Sequence, residues 1–165
     1  MGHCMLKILL AVDGSALSLD AVRHGLALHA QGLRAQFVLV NVQESASLYE
    51  MVVARDPAVI DDVSAKAGQH QLEGARALCA GADVLFDAEV VIGDPAHLIV
   101  ELAERHACDA IILGARGHGG LRGALLGSVS QAVTHSATVP VTVVKHIESD
   151  ERVLASGDTE PDEDA

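Results

Sequence analysis

The residues best suited to chemistry in this chain are six glycines between Gly114 and Ser128, directly after the apolar run Ala110–Leu113. Glycine lacks a Cβ, so the backbone can take φ > 0 and its N–H groups can approach a ligand closely. A loop that ends in Gly-Ser at the start of a helix also offers unpaired N–H groups and the positive end of the helix dipole. We therefore predict a phosphate-binding site, with three basic side chains beside it, Arg116, His118 and Arg122.

This loop needs a scaffold, and the apolar pattern predicts alternating strands and helices. Five segments are predicted to be strands: Leu6–Val12, Ala35–Val42, Val84–Ile92, Asp109–Leu113 and Val139–Val144. Helices are predicted from Ser15 or Ser18 to Gln31, over Ala58–Cys79, from Asp94 to His106 and from Gly127 to Ala137. The alternation predicts a single-domain α/β fold of Rossmann-like type. Its open, parallel five-stranded sheet carries helices on both faces, joined by right-handed crossovers.

The topology of such a sheet predicts where a ligand binds. Ligands lie at the carboxyl ends of the strands, where the strand order reverses. If the first strand is central and the fourth lies beside it, Asp13 and Gly114–Gly117 meet in one crevice. Pro140 cannot donate a ladder hydrogen bond, so it marks either the start of a strand or an edge strand. Because Val141–Val144 would leave that edge apolar, we predict a homodimer formed through it.

Composition and charge divide the 165 residues into two parts. Residues 1–146 are predicted to form the folded domain, with an aliphatic core because the chain has two Phe, one Tyr and no Trp. Residues 147–165 are predicted to be a disordered acidic tail. Eight acidic residues and one base lie from Glu148 onward, and the whole chain carries a net charge of −12. Such a tail would repel phosphates, which argues against nucleic-acid binding.

Several classes of protein are disfavoured by what the chain lacks. The apolar runs are too short to span a bilayer, so no membrane segment is predicted. Three cysteines without CxxC spacing predict no disulfide framework and a reducing, cytoplasmic location. Nine histidines show neither HxH nor HExxH spacing, and we predict no metal site built by the protein. The chain also lacks the P-loop pattern, a GxGxxG after the first strand and the paired carboxylates of a phosphoacceptor receiver.

The spacing Gly114-x2-Gly117-x9-Gly127-Ser128 resembles the nucleotide-binding signature of the universal stress protein family. Three other segments resemble the family in the same order: Lys7–Ser15, Ala88–Pro95 and Ser136–Val143. The resemblance covers residues 5–145. It implies a fold like that of the adenine nucleotide alpha hydrolases, bound ATP with or without Mg²⁺, and a homodimer built through the last strand.

The resemblance also implies roles for individual residues. Asp13 would lie at the adenine and ribose end of the nucleotide, and Val42 would offer backbone contacts to adenine. Gly114 and Gly117 would line the ribose and phosphates. The resemblance gives no role to Arg116, which the sequence places beside the loop, either in contact with the phosphates or solvated. Amides or a hydroxyl for the phosphates would come from the start of the last helix, at Gly127, Ser128 and Val129. Two simpler interpretations stay open: Asp13 as a turn former and Ser128 as an N-cap.

Two classes of function remain. The first is a nucleotide-dependent regulatory module of the stress response, in which ATP biases the dimer or a partner surface. The alternative is a slow ATPase or phosphoryl-transfer enzyme on the same site. Phosphoryl transfer needs metal ligands, cationic clamps and a positioned base. Since the loop has no lysine and no evident base, the sequence favours binding over catalysis and gives no residue a catalytic role.

Overall fold

The protein is described by a computed structural model that covers residues 5–45, 57–118 and 126–145. The strands are β1 (Leu6–Ala11), β2 (Ala35–Gln43), β3 (Phe86–Ile92), β4 (Ala110–Gly114) and β5 (Val141–Val144). The helices are α1 (Ala16–Ala30), α2 (Pro57–Gly81), α3 (Pro95–Arg105) and α4 (Ser128–Ser136). The predicted acidic tail, Arg122 and most of the connection after β2 lie outside the described residues.

All strand pairs are parallel, and the strand order is β3-β2-β1-β4-β5. The prediction that the first strand is central and the fourth lies beside it is therefore confirmed. After β1 the chain builds the sheet outward to β3, then returns to the other side of β1. This reversal creates a crevice between the carboxyl ends of β1 and β4.

Each face of the sheet is covered by helices and has its own aliphatic core. On the face of α1 and α2, Leu10, Phe37 and Leu72 are among the buried side chains. On the face of α3 and α4, the buried set includes Leu9, Leu102 and Ile111. Alternate residues of β1 thus enter opposite cores, which is why the strands are nearly continuous apolar runs.

The helix starts follow the capping rules from which they were predicted. Ser15, rather than Ser18, is the N-cap of α1, and its hydroxyl accepts the Ser18 amide at 3.2 Å. Asp94 caps α3 by accepting the His97 amide at 2.8 Å, and a proline occupies the first turn. These caps fix the direction in which each helix leaves the sheet.

Two strands, β3 and β5, begin two residues later than the apolar pattern predicts, and β4 begins one residue later. Val84 is buried, but its amide bonds to the Cys79 carbonyl and Asp83 has φ of 53°, so Val84 belongs to the turn after α2. Pro140 accepts the Ile111 amide but has no N–H of its own, and β5 starts one residue later. In both places local backbone geometry decides the boundary.

The edge strand β3 is tied to the end of α3 by one ionic cluster. Glu89 accepts hydrogen bonds from Arg105 at 2.5 Å and His106 at 2.8 Å. Partial burial raises the pKa of Glu89, but these two partners outweigh it and the net pKa is below the usual value. Glu89 is therefore ionised at neutral pH. None of the helices in the described part of the chain has the length and apolarity needed to cross a bilayer.

Candidate functional site

The turn between β1 and α1 fixes Asp13 at the mouth of the crevice. One oxygen of its carboxylate, Oδ1, accepts the Ser15 amide at 2.9 Å and the Ser15 hydroxyl at 2.5 Å. Gly14 has φ of +80°, a backbone conformation that favours glycine and lets the chain reverse here. The turn-forming role suggested for Asp13 is thus part of its geometry, and its second oxygen, Oδ2, faces the glycine loop.

The environment of Asp13 keeps its carboxylate charged. Burial raises its pKa, but the hydrogen bonds from Ser15 and Ser18 and the electrostatic interaction with His118 together lower it more, so the net pKa lies below its ordinary value. An ionised carboxylate is a good hydrogen-bond acceptor for a hydroxyl. It is a poor general base, because a depressed pKa weakens its hold on a proton.

Gly114 ends β4 and lies against the start of α1. A Cβ at this position would come within 3.1 Å of the backbone carbon and oxygen of Leu17. The missing side chain therefore allows α1 and β4 to approach closely. This contact brings the Asp13 turn next to the glycine loop.

The two described ends of the glycine loop are joined through one carbonyl. The Ala115 oxygen accepts the Gly127 amide at 2.7 Å and the Ser130 hydroxyl at 2.7 Å. Because the Gly127 amide already donates to Ala115, Gly127 stabilises the loop. The N–H groups that remain available to an anion are those of the residues that follow it. Gly127 also packs near Arg116, whose side chain is exposed.

Helix α4 begins immediately after this anchor. Gly127 is its N-cap and provides no side-chain hydrogen bond to the first turn. The first N–H groups of a helix have no acceptor inside the helix. Ser128 and Val129 occupy these positions, with Ser128 exposed and Val129 half-buried. The helix start is therefore suited to an anion.

Gly117 brings the loop into contact with Asp13. A Cβ built on Gly117 would overlap the Asp13 Oδ2 atom. The close approach therefore requires glycine here, and the described part of the loop, up to His118, closes over the carboxylate. The meeting of these two segments was predicted from topology, but the direct packing of Gly117 on Asp13 was not.

Val42 lies on the other side of β1, at the end of β2. The last backbone hydrogen bond from β1 to β2 runs from the Val12 amide to the Val40 carbonyl, 2.8 Å long. Val42 is two residues further on and points its backbone to the same side, because alternate residues of a strand do so. It therefore lies at the carboxyl end of the sheet, beyond the point where β1 and β2 pair.

The sequence did not predict a cluster of three amide side chains, in which Asn41 is buried and Gln43 and Gln71 are half-buried. Asn41 is 0% exposed and donates to the Val12 carbonyl at 2.8 Å and to Gln71 Oε1 at 2.7 Å. Gln43 donates to Asn41 Oδ1 at 2.6 Å and to Gln71 Oε1 at 2.9 Å. The sequence carried a signal, since Asn41 is a polar residue within the otherwise apolar run Phe37–Val42.

The comparisons with known proteins give one consistent family. The profile of the universal stress protein family matches residues 5–145. The universal stress protein MJ0531 of Methanocaldococcus jannaschii is 32% identical over 139 residues, 84% of this chain and 81% of that protein.

Solved structures agree. The hypothetical protein MJ0577 superposes with a TM-score of 0.75 at 26% identity, over 87% of this chain and 98% of that one. A universal stress protein in complex with cAMP superposes with a TM-score of 0.61 at 27% identity, over 84% and 96% of the two chains. This chain belongs to the universal stress protein family.

Proposed function

We propose that this chain binds ATP in the crevice between β1 and β4, as a nucleotide-dependent regulatory module of the stress response. The observation that carries the proposal is the packing of Gly117 on Asp13, which joins a glycine loop to an ionised carboxylate at the switch point. A relative of 27% identity has been solved with cAMP, which is also an adenine nucleotide.

Each part of ATP has a chemically suitable neighbour in this proposal. The N–H and C=O of Val42 complement the acceptor and amino group on the edge of adenine. The Asp13 carboxylate accepts hydrogen bonds from ribose hydroxyls. The phosphates lie at the start of α4, where Ser128 and Val129 offer N–H groups, with Arg116 and Gly114 at the base of the loop.

We propose Mg²⁺ only as an ion that binds together with the ATP phosphates. Mg²⁺ is commonly held by one or two carboxylates together with substrate phosphates. Among the described residues, no group of three His, Cys, Asp or Glu side chains could hold a metal ion. Asp13 is the carboxylate that contacts the loop, and its ionised state suits either a hydroxyl or a cation. The same low pKa argues against Asp13 as a base for hydrolysis, which favours binding over catalysis.

The nucleotide proposal predicts a stabilisation that adenine nucleotides alone produce. A ligand at about 100 times its Kd adds about 2.7 kcal/mol to the free energy of unfolding. For a chain of this size that raises Tm by about 5–10 °C. We expect this shift with millimolar ATP and not with GTP, measured by differential scanning fluorimetry. Absence of any shift, with no nucleotide released on denaturing the purified protein, would contradict the proposal.

We also propose that two copies pair through β5, which contacts β4 on one side only among the described strands. Val141→Asp places a charge on this edge, and we expect it to convert a dimer into a monomer in sedimentation velocity. Leu85→Asp is the matched control, because Leu85 is 66% exposed next to the opposite edge strand. The same monomer for Val141→Asp and the wild type would refute the dimer.

A further inference from the structure

The amide cluster lies where β1 and β2 stop pairing. The side chain of its buried member, Asn41, takes the place of a backbone N–H donor. The Val12 amide donates to the Val40 carbonyl of β2. In a regular parallel ladder, the next hydrogen bond would run from the Val42 amide of β2 to the Val12 carbonyl. Here the Val12 carbonyl instead accepts Asn41 Nδ2 at 2.8 Å. Pairing between the two strands ends at Ala11 and Val40.

The exchange of donors has a consequence for Val42. Once Asn41 satisfies the Val12 carbonyl, the Val42 N–H has no β1 partner among the described residues. We propose that Asn41 is a positioning residue that keeps the Val42 N–H available to a purine edge with a ring-nitrogen acceptor. This inference rests on the proposed nucleotide function and names the residue that prepares its base-binding edge.

The surroundings of Asn41 hold its amide in this orientation. The second Nδ2 hydrogen is directed to Gln71 Oε1, and Oδ1 accepts Gln43 Nε2, so the amide is bonded on both ends. Gln71 reaches the sheet because α2 passes close to it at Gly68, where a Cβ would lie 2.7 Å from Asn41 Oδ1. A fully buried amide with three hydrogen bonds is costly to rotate, since any lost partner leaves a buried polar atom unsatisfied.

The wild-type protein without nucleotide provides the first test. Amide hydrogen exchange resolved by NMR compares Val42 with Val40, which lies inside the paired part of β2. We expect the Val42 amide to exchange at least about tenfold faster than Val40, and to become protected when ATP is added. Equal protection of the two amides in the free protein would overturn the inference. This measurement stays decisive if ATP fails to bind, so it separates the inference from the proposed function.

The second test is Asn41→Leu, which keeps the number and branching of the side-chain heavy atoms and removes the donor. The Val12 carbonyl is then left to the Val42 N–H, and we expect that amide to become protected without ligand. ATP affinity should fall by about tenfold, the loss of one hydrogen bond, while affinity for inorganic tripolyphosphate stays unchanged. That split would not follow from a merely structural role. Equal losses for ATP and tripolyphosphate, or unchanged ATP affinity, would overturn the inference.

Gln43→Met is the matched control. It removes the two hydrogen bonds that Gln43 donates in the same cluster, to Asn41 Oδ1 and to Gln71 Oε1, but leaves the bond from Asn41 to the Val12 carbonyl. We expect ATP affinity within about twofold of wild type and a Val42 amide that still exchanges fast, even if the protein unfolds at a lower urea concentration. A loss of ATP affinity as large as in Asn41→Leu would assign the effect to general loosening of the cluster and overturn the inference.

Discussion

Gly68→Ala is expected to destabilise the protein by about 1–2 kcal/mol, although alanine is the better helix former. Alanine in place of glycine gains about 1 kcal/mol in a helix interior. At this buried position, however, the new Cβ would overlap Val90 Cγ1 and lie 2.7 Å from Asn41 Oδ1. Overpacking of this kind costs about 1–3 kcal/mol, and a disturbed buried hydrogen bond adds about 1 kcal/mol. The cost of overpacking and of the disturbed hydrogen bond therefore exceeds the gain in helix propensity. Urea denaturation measures the difference.

A second glycine of α2 gives the control for Gly68→Ala. Gly74 is exposed, and a Cβ there would meet only the flexible end of Leu19, at 3.3 Å. Gly74→Ala should therefore be neutral or stabilising by up to about 1 kcal/mol. Two identical substitutions in one helix would then change stability in opposite directions. Equal effects at the two positions would show that α2 does not pack on the sheet as closely as the Gly68 contacts indicate.

The elements of this fold could be predicted because their patterns are local. An aliphatic run such as Ile8–Val12 leaves few alternatives once glycines and caps mark its ends, and Ser15 and Asp94 act as such caps. The boundaries that were missed depend on single backbone features. Asp83 takes a positive φ after α2, and Pro140 lacks the N–H that would extend β5.

The site was predictable only in part, because much of it depends on contacts between distant residues. Topology alone places Asp13 beside the glycine loop. The amide cluster could not be found in the same way, because Asn41 and Gln71 are 30 residues apart and meet only through the path of α2. The glycine spacing also did not show that these glycines have different roles. Gly114 allows close packing of α1 on β4, whereas Gly117 allows close packing of the loop on Asp13.

Gly117→Val is expected to lower ATP affinity by at least about tenfold with little change in stability. Gly117 is exposed, so the fold loses no buried contact. Any Cβ there overlaps Asp13 Oδ2, and the loop or the carboxylate must move away from the crevice. In the free protein the exposed loop moves away at little cost, but returning it to the nucleotide-binding geometry costs about 1.4–3 kcal/mol, which corresponds to at least about a tenfold loss of binding. Isothermal titration calorimetry with ATP measures the affinity, and urea denaturation measures the stability.

Two further variants decide whether Asp13 is the cause of that loss. Gly81→Val is the control for valine itself, because a Cβ at Gly81 meets nothing within 4 Å, and ATP affinity should not change. In an Asp13→Ala background the overlap disappears, so adding Gly117→Val should lower affinity much less than it does in the wild type. An equal loss in both backgrounds would place the obstruction at the phosphates instead of the carboxylate. Full ATP affinity in Gly117→Val would contradict the closure of the loop over Asp13, and with it the geometry on which the nucleotide site depends.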